Sequence, residues 1–457
     1  MARKFSSFRE LYDELRENPS LPVVEYCPVG SEVITTLTAG QFCKKTLERR
    51  VDLLNLGVSR IAFISDKTPE LLEDIFASLS LGITICLIDP SEPLDKMMLM
   101  LRTFKPEYII MQEEEFESEE LRQIKSAIAP WHVLKSIDKE GDMVFFTSGT
   151  SGPNKGVVLS SKALLASAYC GQSKCPCNEN DIILSALPLS HVFGFICTFL
   201  WPLCYHATIA LGRGMRKIPE DPKFFAPTII PVIPALVGLL AKMKAFNPEL
   251  KLLLVGAGNL APSLVKLINA NGIGLALGYG LTETASGVAI AVRSSDPYKM
   301  EACPGNSFKI EEDGTLAIKS DSIMKGYLTQ EGFKPVELDK EGYFHTSDLA
   351  KLDEKGRLSI LGRKDDIFVL PNGTKFDAAE AEMKLTAFFP ALDFALAYKN
   401  EKVTFVYYSP KDLSLEVSKA VEAFNKDQPL YNRIGAIEKR EAPLPRTKTM
   451  KVMRYRL

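Results

Sequence analysis

The sequence predicts an α/β fold: a large N-terminal part built on doubly wound sheets, followed by a smaller α+β unit. Three observations carry this. Apolar runs of strand length alternate with helix-length amphipathic stretches between Arg60 and Val255, the pattern of parallel strands with helices on both faces. After about residue 300 the texture changes to short charged segments broken by turn pairs such as Asp313-Gly314 and Glu341-Gly342. Near Gly362-Arg363 a charged turn opens a smaller unit that runs to the C-terminus, so domains of 1–362 and 363–457 are expected.

The elements follow in order. Phe5, Phe8, Tyr12 and Leu15 recur at helical spacing and predict an amphipathic helix over 5–17. A second helix over 38–56 gathers Leu47, Val51 and Leu54 on one face. Arg60–Ile64 reads as a strand, Pro69–Ser80 as a helix, and Ile83–Ile88 and Tyr108–Ile110 as further strands. Met143–Phe146, Ile182–Leu184, Ile229–Ile230 and Leu252–Val255 are buried strands by the same criterion. Val192–Leu211 is almost continuously apolar, but Pro202 and His206 interrupt it, which favours a buried helix and strand over a membrane span.

Composition narrows the class. A chain of 457 residues exceeds one ordinary domain, and 46% hydrophobic with 25% charged residues is the balance of a globular protein. A net charge of −2 supplies no basic field for nucleic acid. Met1-Ala2-Arg3-Lys4-Phe5 lacks the apolar core of a secretory signal, and the cysteines number nine, an odd count; reduced thiols in a cytoplasm are expected. Cys170, Cys175 and Cys177 contain no C-x-x-C pair and read as ordinary thiols rather than zinc ligands.

The chemistry begins where the Met143–Phe146 strand runs into Thr147-Ser148-Gly149-Thr150-Ser151-Gly152-Pro153-Asn154-Lys155-Gly156. Hydroxyls and glycine N–H groups can converge on one anion, and a lysine adds a movable charge for phosphate oxygens. The spacing is not the G-x-x-x-x-G-K-[ST] of the common triphosphatase loop. Further along stand Pro188-Leu189-Ser190-His191, Gly256-Ala257-Gly258 and Gly278-Tyr279-Gly280-Leu281-Thr282-Glu283. In the last, an aromatic face can stack on a base, a hydroxyl can reach a phosphate, and a carboxylate is a hard ligand for Mg²⁺. Asp348 follows Tyr343-Phe344-His345-Thr346-Ser347, and Gly362-Arg363-Lys364-Asp365-Asp366 and Pro445-Arg446-Thr447-Lys448-Thr449-Met450-Lys451 complete the set.

Together these resemble the ordered motifs of the adenylate-forming superfamily, which includes acyl- and aryl-CoA synthetases, peptide-synthetase adenylation domains and luciferases. The phosphate loop resembles T-S-G-T-T-G-x-P-K-G, with Asn154 where the family has proline; the other motifs resemble G-Y-G-x-T-E, Y-x-T-G-D with Ser347 for glycine, G-R-x-D, and P-R-T-x-x-G-K with Met450 for glycine. Beyond the hinge, Ile367-Phe368 stands where relatives carry I-K, and Phe376-Asp377-Ala378-Ala379-Glu380 lacks their proline. The resemblance implies a small barrel-like part in the large domain and a mobile C-terminal domain. It implies that Thr147, Ser148, Gly149, Thr150, Ser151, Gly152 and Lys155 hold the ATP phosphates. By the same resemblance Tyr279 and Gly256-Ala257-Gly258 face the adenine, Asp348 and Arg363 take the ribose, and Thr282 takes the α-phosphate. Glu283 is then the Mg²⁺ ligand, His191 a substrate-site residue, Lys451 the bridge between attacking carboxylate and nucleotide, and Asp365 the hinge.

The implied reaction is ATP-dependent activation of a carboxylic acid, then transfer to the thiol of CoA or of a carrier-protein phosphopantetheine. No aspartate stands where peptide-synthetase domains bind an amine, and the apolar wall at 192–211 favours a fatty or related acyl acid. The alternatives are an aryl acid of the o-succinylbenzoate type and a nucleotide-binding homologue without turnover.

Overall fold

The computed structural model describes residues 3–111, 117–128, 140–147, 155–258, 260–364, 367–370, 375–389, 392–426, 428, 433–446 and 452–457. Among these, two large mixed sheets dominate the N-terminal region. The nine-stranded sheet runs in the order Glu301–Ala302, Ser286–Val292, Gly274–Leu281, Leu252–Val255, Ile229–Val232, Ile182–Ser185, Thr208–Leu211, Pro22–Tyr26, Thr35–Thr38. Its six central strands are parallel and its rims antiparallel. The seven-stranded sheet is parallel through Asp142–Thr147, Thr84–Ile88, Arg60–Ile64 and Tyr108–Met111, and antiparallel through Lys155–Ser160, Gly326–Thr329 and Gly332–Pro335. One contiguous core joins the two, with Phe63 and Phe145 from one sheet and Ile183 and Leu254 from the other.

Local chemistry sets the helices between them. Ser7 caps Phe8–Glu17, and Thr38 with Gln41 forms a capping box on Ala39–Leu56. Thr68 caps Pro69–Ser80, whose Phe76 meets the edges of Phe8 at 5.3 Å and Phe42 at 5.8 Å. The helix over 39–56 corrects one expectation. Leu47, Val51 and Leu54 do share a face, but it is the exposed one; Phe42, Cys43, Thr46 and Leu53 are buried instead. The reason is that this helix docks on the charged flank of Pro69–Ser80, where Arg49 pairs with buried Asp74 and Lys45 approaches buried Glu73 at 3.8 Å. Val192–Leu211 is helical from Val192 to Cys204, with a π-turn at Ile196–Leu200, and then a buried strand Thr208–Leu211. No helix among the described residues is long and apolar enough to cross a membrane.

A half-barrel of four antiparallel strands, Asn306–Ile310, Thr315–Ser320, Phe344–Leu352 and Leu358–Arg363, packs on the rim of the nine-stranded sheet through Val288, Leu316 and Leu358. The smaller C-terminal α+β unit follows. Its sheet of Asp393–Lys399, Lys402–Tyr408 and Ala436–Arg440 is covered by Ala378–Thr386 and Ser414–Lys426 around Phe376, Phe405 and Tyr407. Phe368, in place of the lysine of relatives, stacks on Phe376 at 6.0 Å and on Tyr398 at 5.9 Å. Asp377, one residue before Ala378 where the proline is missing, caps Ala378–Thr386 by accepting from the Glu380 N–H.

Candidate active site

A cleft of about 2520 Å³ opens at the carboxyl ends of the parallel strands, the end at which open α/β sheets bind ligands. The strand Gly274–Leu281 leads into it. At Gly280 a Cβ would lie 1.6 Å from the Ser286 carbonyl oxygen, so only glycine lets the two antiparallel strands meet there. The chain then makes one tight turn, Thr282–Thr284. Buried Thr284 pins it: its hydroxyl accepts from Leu281 N–H at 3.0 Å and donates to the Ser286 carbonyl at 3.0 Å. Ala285 (φ +50°) and Ser286 (φ +96°) are left-handed, a strain of about 1–3 kcal/mol each that a well-tied turn sustains. Thr282 and Glu283 are thereby turned to the cleft.

Glu283 accepts a hydrogen bond from the Tyr327 hydroxyl at 2.9 Å, and the Lys155 ammonium sits 5.3 Å from the centre of the same ring. Lys155 pairs in register with Thr147 on the antiparallel strands Asp142–Thr147 and Lys155–Ser160. Burial, and then the Glu283 carboxylate, push the Tyr327 phenol up. Tyr327 carries no motif; its place on the strand beside Lys155–Ser160 is a product of topology.

At the other end of the motif, the Tyr279 hydroxyl donates to Asp348 at 2.6 Å, and Arg363 Nε lies 3.1 Å from the other carboxylate oxygen. Asp348 and Arg363 are register partners on adjacent antiparallel strands, which explains how a fifteen-residue separation becomes a contact. Burial and the facing carboxylate raise the Tyr279 phenol. Asp348 is 6% exposed, and a carboxylate with about four lone-pair positions keeps acceptor capacity beyond these two partners.

His191 closes the turn from Pro188, its N–H donating to the Pro188 carbonyl at 3.3 Å, and is the N-cap residue of the helix Val192–Phe195. A Cβ on Gly194 would lie 2.2 Å from the Pro188 carbonyl oxygen, so the turn carrying His191 closes only over glycine. Phe193 packs against Gly256, joining this turn to Gly256-Ala257-Gly258, where Ala257 is left-handed at φ +60°. Lys67, which no motif marks, braces the same place: its ammonium donates to the carbonyls of Ser185 and Leu187 (the latter at 3.2 Å).

Within the smaller C-terminal unit, arginines on either side of 447–451 are tied to carboxylates. Arg446 pairs with Asp393 at 2.7 Å, and Arg454 makes a two-bond pair with Glu382 at 2.6 and 2.8 Å. Arg446 and Val452 bridge as a β-pair, and both line the cleft. Lys451 itself, Ser148, Gly149, Thr150, Ser151 and Gly152 of the phosphate loop, and Asp365 lie outside the described residues. Of the remaining sequence-named residues, Thr147, Lys155, His191, Gly256, Ala257, Gly258, Tyr279, Thr282, Glu283, Asp348 and Arg363 all line this one cleft.

The donor set suits Mg²⁺. Among the described residues no cation pairs with Glu283 and no group of three metal-ligating side chains forms, while Mg²⁺ is bound by one or two carboxylates together with substrate phosphates.

Residues 35–328 match the AMP-binding enzyme family. The chain is 26% identical to the 4-coumarate–CoA ligase 1 of Arabidopsis thaliana over 70% of its own length and 64% of the relative's. It is 25% identical to a 2-succinylbenzoate–CoA ligase of Bacillus velezensis, covering 87% of each chain. The solved o-succinylbenzoate coenzyme A synthetase of Bacillus subtilis, in complex with ATP and magnesium ion, superposes with a TM-score of 0.82 over 98% of both chains at 18% identity, a likeness of fold. With the motif residues converging on one cleft and most of the large N-terminal region matching, this chain belongs to the AMP-binding enzyme family, an enzyme of the adenylate-forming acyl-CoA synthetase superfamily.

Proposed function

We propose that the protein joins an aromatic carboxylic acid to AMP and then to the thiol of coenzyme A. In the first step a carboxylate oxygen attacks the α-phosphorus of ATP, the bond to the β-phosphate oxygen breaks, and pyrophosphate leaves. In the second a thiol sulfur attacks the acyl carbonyl, loses its proton, and AMP departs with the former bridging oxygen. Catalysis is by positioning and charge neutralisation. The observation that carries the reading is the spacing of two polar clusters along one strand and turn: Tyr279–Asp348–Arg363 at one end and Lys155–Tyr327–Glu283 at the other. The first suits a ribose and its base, the second the charged phosphates.

In this reading Thr147, Ser148 to Gly152 and Lys155 hold phosphates, Thr282 the α-phosphate, and Glu283 the accompanying Mg²⁺, which would draw charge from the phosphates. Gly256-Ala257-Gly258 and Tyr279 flank the adenine, and His191 stands between the acid's carboxylate and the thiol path. Lys451 neutralises the two anions as they meet, in a domain beginning at about 363 that turns about Asp365. The relatives named as 4-coumarate and 2-succinylbenzoate ligases favour an aryl acid over the fatty acid first expected. The test is acid-dependent release of pyrophosphate from Mg·ATP across aryl and fatty acids, with CoA, phosphopantetheinylated carrier protein or neither. Aryl-acid-dependent AMP formation with CoA supports the reading; ATP turnover indifferent to acid, or preference for fatty acids, contradicts it.

A further inference from the structure

The helix Ser161–Lys174 lays a stripe of small residues along the inner wall of the cleft. Ser167, Gly171 and Cys175 follow at intervals of four and all face it, whereas the large side chains Leu164 and Leu165 go to the core. Opposite them runs the π-turn Ile196–Leu200, where the Trp201 backbone N–H reaches back to the Ile196 carbonyl. A π-turn inserts one extra residue into a helix and is found mostly at functional positions. Here it directs Ile196, Cys197 and Trp201 at the stripe.

Trp201 closes the space. Its indole ring lies 3.5 Å from where a Gly171 Cβ would be, ordinary contact distance, so the ring packs directly over the bare backbone of that turn. The ring is held: its Nε1–H donates to Gln172 Oε1 at 3.0 Å, and Gln172 is in turn fixed by the Cys177 N–H at 3.0 Å and the Cys177 carbonyl at 2.9 Å. The polar groups of this floor are therefore engaged within the protein.

Ser167 is different. It is 2% exposed, its Oγ has no hydrogen-bond partner among the described residues, and it faces the cleft one helical turn from Gly171. A buried hydroxyl without a partner is costly and is normally paired in the working state of a protein. The wall also lacks charge. None of the cations lining the cleft stands on Ser161–Lys174 or on 192–205. The nearby Lys174 and Arg293 are turned away, to Glu301 at 2.8 Å and to the Lys251 carbonyl at 3.3 Å. The thiols of Cys175 and Cys197 are pushed up to about 12 by burial and stay neutral.

Resting on the acid-activation reading above, we infer that this wall is the tail pocket for a flat aromatic acid that is uncharged beyond its reacting carboxylate and whose far end carries a neutral hydroxyl read by Ser167, with Trp201 setting the length. A second carboxylate at the far end finds no counter-charge among the described residues of this wall, and burying it unpaired is strongly unfavourable. This separates hydroxylated aryl monoacids from aryl diacids, which the family membership does not.

The test uses three acids that differ only at the far end: 4-hydroxycinnamate, cinnamate and 4-carboxycinnamate. The kcat/KM for pyrophosphate release is expected to fall in that order, by about tenfold at the first step and about a hundredfold or more for the diacid. Ser167→Ala should collapse the preference for hydroxycinnamate over cinnamate to near unity, with the loss mainly in KM. Trp201→Phe should raise the relative kcat/KM of the longer 4-phenylcinnamate. Activity with the diacid equal to or above the hydroxy acid, an unaltered hydroxyl preference in Ser167→Ala, or turnover of other acids but none of these would overturn the inference. If no carboxylic acid supports AMP formation, the acid-activation reading itself falls, and this one with it.

Discussion

The two ends of the cleft are made by different means. The end we assign to the nucleotide is polar and assembled from single side chains: Tyr279, Asp348, Arg363, Tyr327 and Lys155 from five strands, and Glu283 from the turn after the first of them. The end we assign to the acid's tail is apolar and assembled by packing, with a glycine under an indole, an extra residue in a helix, and at Ser167 a hydroxyl without a partner among the described residues. The difference teaches where specificity resides. Phosphates, ribose and a divalent cation demand particular charged groups at fixed spacings, so that end tolerates little change. A tail demands only a shape, which many sequences can make.

Each of four changes would sharpen or break this contrast, in descending order of effect. Lys451→Ala should cut pyrophosphate exchange by roughly 10²–10³-fold, as loss of a charge stabiliser does, while thioester formation from supplied acyl-adenylate and CoA persists. Equal loss of both half-reactions in single-turnover experiments would remove Lys451 from the nucleotide end. Next, Asp348→Ala should raise the KM for ATP by about ten- to a hundredfold, since a charge-assisted hydrogen bond contributes ~1.5–3 kcal/mol. Its preference among acids should not change, and steady-state kinetics with two acids checks both points. Tyr327→Phe removes the hydroxyl donated to Glu283 and should shift the Mg²⁺ concentration needed for half-maximal rate by about threefold to tenfold, as expected of one hydrogen bond.

The smallest effect lies away from both ends. Burial pushes the Glu73 carboxyl up to about 7, against Lys45 and Arg49, with Glu70 and Asp74 adding to the rise. A carboxyl raised in the folded state binds more protons there than in the unfolded chain between its ordinary value and about 7, so stability falls as pH rises through that window. Glu73→Gln should remove this slope and raise stability above pH 7 by about 1–2 kcal/mol, without altering kinetics at either end. Thermal melts across the pH range measure it; a variant that melts lower at pH 8 would contradict the assignment.

The legibility of the sequence follows the same division. The Gly278–Glu283 strand and turn and the Asp348–Arg363 pair carry residue types whose chemistry restricts substitution and stand out as motifs; the loop after Thr147 stands out in the same way, but 148–154 lie outside the described residues. Strands such as Arg60–Ile64 and Leu252–Val255 were readable because burial on both faces leaves an unbroken apolar run. Two kinds of feature were not. Tyr327 reaches the site by strand pairing, and Lys67 braces the segment before His191 from the loop after Arg60–Ile64, contacts between distant segments that no local pattern reports. Leu47, Val51 and Leu54 have the spacing of a core face, yet the core took the opposite side, because Asp74 and Glu73 on the partner helix recruit Arg49 and Lys45. The pocket wall of Ser167, Gly171 and Trp201 joins both cases: its residues are ordinary one by one, and only the fold makes them a site.

Acid-dependent exchange of labelled pyrophosphate into ATP, run in parallel on Asp348→Ala and Ser167→Ala with hydroxylated and unsubstituted aryl acids, tests the contrast most directly. The account predicts that Asp348→Ala depresses exchange with both acids by the same factor, while Ser167→Ala changes their ratio. A shifted acid ratio in Asp348→Ala, or an unshifted one in Ser167→Ala, would contradict it.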